Sequence, residues 1–362
     1  MSFTVSIEPS ARTFQARKGE TLLSAALMAG VALPYGCKDG ACGSCKCQLL
    51  SGEVTHNAHQ TKALSDNEEA QGHILTCCAV AQSDVVLLCR QVLDINLPLV
   101  RKMPVRVDQL HLLAPDVMQV FLQLPQNDAF DFIPGQYIDF LLKDGQRRSY
   151  SLANAPFPKA PAPHAPSAPM DDNALPPKRF IELHVRHMPG GVFTDQVFGS
   201  LKPKDILRIE GPLGGFFLHA STKPIVFLAS GTGFAPIKSI LESIVSSQDE
   251  ALKARSLHLY WGVKNLFDLY QNDWVLELQK KLPQLRYTPV LSEPEASSQW
   301  RGREGFVHLA VLEDYPSLRE HQVYACGAPI VVESAKADFV SKAQLPVEEF
   351  FADAFLSQKD KQ

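Results

Sequence analysis

Three cysteines on one short loop, Cys37, Cys42 and Cys45, and a fourth well downstream, Cys77, are the residues of this chain best able to do chemistry. Their order is C-x4-C-x2-C…C, the spacing with which one loop wraps a plant-type [2Fe–2S] cluster. Four thiolates must surround two irons, and three of them come from one tight turn. The chain can curl that closely only where side chains are absent. Gly36, Gly40 and Gly43 supply those places and let backbone N–H groups approach the inorganic sulfides. A structural zinc site is the competing reading, but zinc usually takes two short Cys knuckles, not a loop of three with a distant single. Eight cysteines in 362 residues, five of them within 37–77, are too few for a disulfide scaffold. Cys47, Cys78 and Cys89 read as small buried apolar residues. Cys77 and Cys78 follow the apolar run Ile74-Leu75-Thr76, where adjacent side chains on an extended segment face opposite ways, so only one of them reaches the irons.

A site that moves single electrons needs a source for them. Ser230-Gly231-Thr232-Gly233-Phe234-Ala235-Pro236 lies where the apolar strand Pro224–Ala229 hands over to a helix, and glycines there let backbone amides face a pyrophosphate. This G-x-G-x-x-P lacks the third glycine of the dinucleotide fingerprint and is weak by itself. Arg147 to Asn154, with Pro134-Gly135-Gln136-Tyr137 upstream, brings an Arg, an aromatic ring and a hydroxyl onto one strand. That set suits a flat ligand with a charged tail: the Arg meets phosphate, the ring stacks, and the Ser hydrogen-bonds a ring nitrogen. Pro189 to Thr194 offers bare amides plus a hydroxyl for a second phosphate contact. Taken singly, these segments are also an ordinary amphipathic strand and a plain turn. Gly211-Pro212-Leu213-Gly214-Gly215 reads as the turn that ends this module. His56, His59 and His73 have no partners at ligand spacing and read as surface or satisfied polar residues.

Three units are expected to position these residues. Residues 1–95 open with the alternation Phe3, Val5, Ile7, carry a helix-like stripe from Thr21 to Val31, and close on the strand Val85 to Cys89. A linker near Asn96-Leu97-Pro98 leads to 102–221, where Val105 and Val107, then Met118, Val120 and Leu122, recur at every second position and predict an antiparallel β-barrel module. Within it the Pro- and Ala-crowded stretch 155–178 is assigned no secondary structure and reads as a surface insertion. In 222–362 the strands Pro224 to Ala229, Ser256 to Trp261 and Gln322 to Cys326 alternate with helical stretches, which predicts a parallel α/β sheet. The formal charge of −4 and the lack of a basic run argue against nucleic acid. The start lacks the charged and apolar regions of a signal peptide, and no apolar stretch is long enough to span a membrane, so a reducing cytoplasmic setting is expected.

The order of these motifs resembles the ferredoxin–NAD(P)H reductase superfamily over essentially the whole chain, in its three-part form: an N-terminal β-grasp [2Fe–2S] ferredoxin, an antiparallel β-barrel FAD domain, and a parallel-sheet nicotinamide domain. The resemblance implies that R-x-Y-S, here Arg148, Tyr150 and Ser151, binds FAD, with Arg148 on the pyrophosphate, Tyr150 on the isoalloxazine and Ser151 near N5. The family's next segment matches His184, Val185 and Arg186, and its G-G-x-x-S/T turn matches Gly190, Gly191 and Thr194, with Val192 between. G-T-G-x-A-P matches Gly231, Thr232, Gly233, Ala235 and Pro236, and C-G-x-P matches Cys326 to Pro329, which puts Cys326 and Gly327 beside the nicotinamide C4. The ending Phe350 to Phe355 resembles the aromatic segment on the flavin's other face, and Leu-Thr-Cys endings of ferredoxins favour Cys77 over Cys78 as the fourth ligand. Lys264 could meet a 2′-phosphate, but Asp268 follows closely and no Arg joins it, which favours NADH over NADPH. The implied activity is an NADH-dependent reductase passing electrons through FAD and the cluster to a partner protein. That partner is a pyridoxamine-phosphate-dependent sugar dehydratase, as for the CDP-6-deoxy-Δ3,4-glucoseen reductase group, or a Rieske or di-iron oxygenase component. Thr76-Cys77-Cys78-Ala79 and the aromatic ending resemble the first group most. A redox sensor or electron carrier is the alternative of another class, and the two nicotinamide motifs speak against it.

Overall fold

The computed structural model describes residues 1–90, 92, 97–126, 130–157 and 179–356. Asn96 of the expected linker, and the part of the Pro/Ala-rich stretch from 158 to 178, lie outside them.

Three large sheets follow one another along the chain, and a two-stranded one, Val54–His56 with Ala79–Ala81, belongs to the first unit. In the first, the strand order is Arg12–Arg17, Ser2–Glu8, Val85–Leu88, Lys46–Ser51, His73–Leu75. Ser2–Glu8 runs parallel to Val85–Leu88 and antiparallel to Arg12–Arg17. Alternation along the first strand sends Val5 and Ile7 into the core. The helix Leu22–Met28 starts at Thr21, whose side chain accepts from Ser24 N, and buries Leu22, Leu23, Ala25 and Ala26 under the sheet. This is the expected β-grasp, and the cysteine loop leaves it between the helix and Lys46–Ser51.

The second sheet has the order Arg147–Ser151, Tyr137–Leu141, Ile206–Leu213, Arg101–Ala114, Val117–Gln123, Phe180–Arg186, with antiparallel neighbours throughout. A bridge between Leu152 and Leu183 joins its two ends into a barrel around Ile138, Phe140, Leu122 and Val185.

The third sheet is wholly parallel. From Ile225–Ser230 the chain builds outward through Leu257–Val263, Leu285–Leu291 and Arg303–Glu304, then returns to the other side with Gln322–Gly327 and Phe350–Ala354. Both faces are covered: Phe234–Ser246 and Asn272–Lys281 pack on one, Val307–Asp314 and Pro329–Lys342 on the other. Where the order reverses, the carboxyl ends of Ile225–Ser230 and Gln322–Gly327 open a crevice, the place where such sheets bind ligands. Both nicotinamide motifs lie there. Among the described residues, no helix is long and apolar enough to cross a membrane.

Candidate redox centre and cofactor cleft

The four predicted cysteines come as two pairs. Cys37 and Cys42 hydrogen-bond through their thiols; Cys42 Sγ accepts from Cys37 N (3.4 Å) and Ser44 N (3.5 Å), and Cys37 Sγ accepts from Ala41 N (3.4 Å). Cys45 Sγ lies 3.2 Å from Cys77 Sγ. Two thiol pairs, the first of them surrounded by amide donors, suit two irons and their sulfides, whereas one tetrahedral zinc asks for four ligands on one centre. Among the described residues, no group of three or more His, Cys, Asp or Glu side chains converges on a single ion.

The expectation that Cys77 and Cys78 face opposite ways does not hold. The strand His73–Leu75 ends before them, Cys78 N donates to Leu75 O (2.9 Å), and the resulting turn leaves the two sulfurs 3.6 Å apart. Cys78 Sγ rests against Gly40, where an added Cβ would meet it at 2.7 Å. Cys47 and Cys89 are both buried, and their thiols touch across the strand pair that aligns Gln48 with Leu88.

The cysteine loop docks directly on the barrel. Tyr35 OH accepts from Gly214 N (2.7 Å), Gly215 N donates to Tyr35 O (3.2 Å), and Tyr137 OH donates to Gly36 O (2.8 Å), next to Cys37. Lys38 Nζ stands 3.7 Å from the buried carboxylate of Asp139, which also takes Ser149 Oγ at 2.6 Å and Arg147 at 3.3 Å. Gly211 to Gly215 is therefore more than the turn ending a barrel: its glycines receive a tyrosine from the first unit. Spacing alone could not reveal this, since the contact joins residues 179 positions apart.

One strand further on lies the expected flavin segment. Tyr137 pairs with Ser151 across the ladder, so the hydroxyl meeting Gly36 and the predicted N5 partner belong to directly opposed residues. Tyr150 packs against Phe140 and Phe193, with ring centroids 5.8 and 5.3 Å away. Ser151 is buried, and its hydroxyl and the Cys326 thiol both meet the carboxyl of Asp353, with Cys326 Sγ 3.9 Å from Oδ2. Burial pushes that carboxyl up to about 7, with help from the nearby Cys42 thiol and against the hydrogen bonds of Ser151 and Cys326. Burial, then Asp353, holds the Cys326 thiol well above its ordinary range, so it stays neutral. Sequence reasoning missed Asp353. It lies within the aromatic ending, but its register opposite Cys326 appears only once Phe350–Ala354 pairs with Gln322–Gly327.

The two nicotinamide motifs interlock. A Cβ on Gly233 would collide with the Cys326 carbonyl, and one on Gly327, whose φ is 130°, with the Ser230 carbonyl. Phe355 N donates to Gly327 O (2.8 Å), which ties the aromatic ending to the same turn. Above Gly231 lies Arg186. Its Nη1 sits 3.0 Å from where a Cβ would stand, and its buried Nε and Nη2 have no hydrogen-bond partner, although Asp116 (3.2 Å) and Asp268 (3.7 Å) lie near. The helix Val192–Gly199 begins at Gly191 with no side-chain cap. Orphaned guanidinium donors fit the phosphates of a dinucleotide; in the turn, Gly190 N already donates to Asp195 (3.1 Å) and Gly191 N to Met188 O (2.8 Å), which leaves the uncapped helix start at Val192 to face an anion.

Other predicted residues are already engaged. Thr194 Oγ1 donates to Met188 O (2.9 Å) and closes its own turn. Both ring nitrogens of His184 are used, Nε2 with Glu182 (2.9 Å) and Nδ1 with Tyr270 OH (3.1 Å), and Val185 points into the barrel core. Asp268 accepts from Asn265 N (3.0 Å), and Lys264 is 3.6 Å from Glu293. Arg148 folds back on Arg147 O (2.8 Å) and Gln146 (2.6 Å).

Fold and cleft together define a redox protein that links a nicotinamide crevice to a cysteine loop through a barrel. Three family models match in this order: a 2Fe-2S iron-sulfur cluster binding domain over residues 5–82, an oxidoreductase FAD-binding domain over 169–218 and an oxidoreductase NAD-binding domain over 227–337. The chain is 39% identical to the CDP-6-deoxy-L-threo-D-glycero-4-hexulose-3-dehydrase reductase of Yersinia pestis, covering 99% of this chain and 100% of that one. It is 32% identical to the phenol hydroxylase P5 protein of Acinetobacter pittii, over 99% of this chain and 96% of the relative. The crystal structure of a cytochrome P450 reductase from Amycolatopsis superposes with a TM-score of 0.74 at 32% identity, over 98% of each chain. The chain belongs to the ferredoxin–NAD(P)H reductase superfamily, among its three-domain ferredoxin, FAD and NAD reductases. Electrons pass from NADH through FAD and the [2Fe–2S] cluster to an electron-accepting protein.

Proposed function

We propose that the acceptor is a pyridoxamine-phosphate-dependent sugar dehydratase, and that Ser151, Cys326 and Asp353 form the point where hydride enters. The acceptor assignment is supported by identity: 39% to the dehydrase reductase of Yersinia pestis over the full length, against 31–34% to reductases of aromatic oxygenation such as the terephthalate 1,2-dioxygenase component of Comamonas. The oxygenase relatives span 96–99% of this chain, which keeps the oxygenase component as the second reading.

The observation carrying the entry point is the meeting of three distant segments on one carboxyl. In this reading Arg148 and Arg186 hold the flavin's phosphates together with Gly190, Gly191 and Val192, Tyr150 packs on its ring, and Phe355 covers the other face. Gly231, Thr232, Gly233 and Pro236 shape the nicotinamide side, with Gly327 and Asp268 nearby. Cys37, Cys42, Cys45 and Cys77 hold the irons. Thr194 acts by shaping the phosphate turn, and His184 can reach a cofactor only through its backbone, since both ring nitrogens are taken. From Ser151, the route to the irons runs through Tyr137 and its hydrogen bond to Gly36.

Asp353 gives the reading a pH signature. Below about 7 its carboxyl is protonated and adds no negative charge beside Ser151; above that it ionises and opposes the arrival of a hydride. NADH-driven ferricyanide reduction is expected to fall as pH rises through about 7, and Asp353→Asn to flatten that step. An unchanged profile in the variant would remove Asp353 from the entry point.

The acceptor is tested by supplying NADH and this reductase to a purified dehydratase carrying pyridoxamine phosphate and its CDP-hexulose, and in parallel to Rieske and di-iron oxygenase components. Many turnovers of deoxygenated sugar are expected, with slow or no oxygenase turnover. The opposite pattern replaces the first reading by the second.

A further inference from the structure

On the barrel strand Phe180–Arg186, every second residue faces the nicotinamide domain: Glu182, His184 and Arg186. Opposite them stands Lys238, four residues into the helix that begins just after the Gly231–Gly233 turn. Its side chain is only 4% exposed, and its ammonium uses all three protons: to Glu182 (2.9 Å), to Ala153 O (3.0 Å) and to Glu242 of its own helix (2.7 Å). The Trp274 ring lies 5.1 Å away on a further side.

The neighbours extend the joint in both directions. Gln119 donates to Glu182 (2.7 Å), Ala155 N donates to Glu242 (2.8 Å), and Ser239 Oγ donates to Asn154 O (2.6 Å). Burial alone would raise the Glu182 carboxyl, but His184, Lys238 and Gln119 hold it down to about 2, so it is ionised. An ionised Glu182 takes the Nε2 proton of His184, leaving Nδ1 to accept from Tyr270 OH. Tyr270 packs edge-on against Phe234 and Trp261, the rings flanking the Gly231–Gly233 turn.

Residues 153–155 directly continue the strand that carries Tyr150 and Ser151, and Phe234–Ser246 directly continues the glycine turn. The joint therefore spans the two elements whose separation decides whether a nicotinamide carbon can reach a flavin nitrogen. We infer that Lys238, with Glu182 and the His184–Tyr270 pair, is a positioning residue for hydride transfer, holding the glycine turn at one height over the Arg147–Ser151 strand. This rests on the reading that flavin lies along that strand and nicotinamide at that turn. A displacement of about 1 Å between two reacting groups lowers a rate by roughly 100-fold, so a joint of this stiffness matters more for rate than for affinity.

The test uses the complete holoenzyme. Lys238→Met leaves Glu182 without its cation, and Lys238→Met/Glu182→Gln removes both buried charges and leaves only the part-exposed Glu242 carboxylate, which still accepts from Ala155 N, so one of the two variants escapes an unpaired buried ion. FAD and iron content, the limiting rate of flavin reduction at saturating NADH, the NADH concentration for half that rate, and cluster reduction after photoreduction of the flavin are measured. Cofactor content and flavin-to-cluster transfer are expected to match the parent, with the limiting rate down about ten-fold or more and half-saturation little changed. Tyr270→Phe, which keeps every charge and most of the packing, is expected to lower the limiting rate several-fold. A limiting rate unchanged in the double variant and in Tyr270→Phe would overturn the inference, leaving the joint as a contributor to stability only. Failure of the parent reading shows separately, as unmodified protein whose FAD is not reduced by NADH.

Discussion

Cys42→Ser protein is expected to purify with FAD but without the absorption bands of the iron–sulfur cluster. Its NADH-dependent cytochrome c reduction falls by ~100-fold or more, while roughly half or more of its ferricyanide reduction survives, because ferricyanide can draw electrons from flavin alone. Cys42 is the decisive choice. Its sulfur takes two backbone N–H bonds, from Cys37 and Ser44, and is paired with Cys37, so its loss empties one half of the two-pair arrangement. The barrel strands and the helix Val192–Gly199 do not depend on it for their folding. Equal loss of both activities with FAD still bound would contradict this division of labour.

Gly233→Ala is expected to be the most damaging single methyl in the nicotinamide domain. The new Cβ would enter the Cys326 carbonyl, a backbone atom with no rotamer to escape into, so the Gly231–Gly233 turn or the Cys326–Gly327 turn must move. Movement of the second separates Cys326 from its place opposite Asp353, and movement of the first carries the glycines away from Cys326. Stopped-flow flavin reduction by NADH is expected to slow by ~100-fold, with FAD content and the cluster spectrum unchanged. Photoreduction should still fill flavin and cluster normally. A full rate of flavin reduction would show that the close approach of the two turns is not needed for hydride transfer.

Much of the candidate site could be proposed from the sequence because its motifs are local. The cysteine spacing, the turn between Ile225–Ser230 and its helix, and the run Arg148 to Ser151 all act within a few residues of themselves. What stayed hidden depends on contacts between units. Tyr35 reaching Gly214, Tyr137 reaching Gly36 and Lys38 reaching Asp139 join segments about a hundred or more positions apart, and no periodicity records them. Nothing in the sequence marks Lys238 as buried, since lysines usually face water, yet two carboxylates and a carbonyl await it. The pair Cys77-Cys78 was misjudged for a local reason: strand geometry was extended one turn too far, past Leu75. His184 matched the family pattern in sequence, but the alternation that puts Arg186 above Gly231 also sends His184 to Tyr270.

The most direct test of the whole account is an anaerobic titration with NADH, followed by visible absorption and by electron paramagnetic resonance. About one and a half equivalents of NADH should be consumed, two electrons residing on FAD and one on a [2Fe–2S] centre with a rhombic signal below the free-electron value. Flavin that bleaches fully while no cluster signal develops, or protein containing zinc and no acid-labile sulfide, would contradict it.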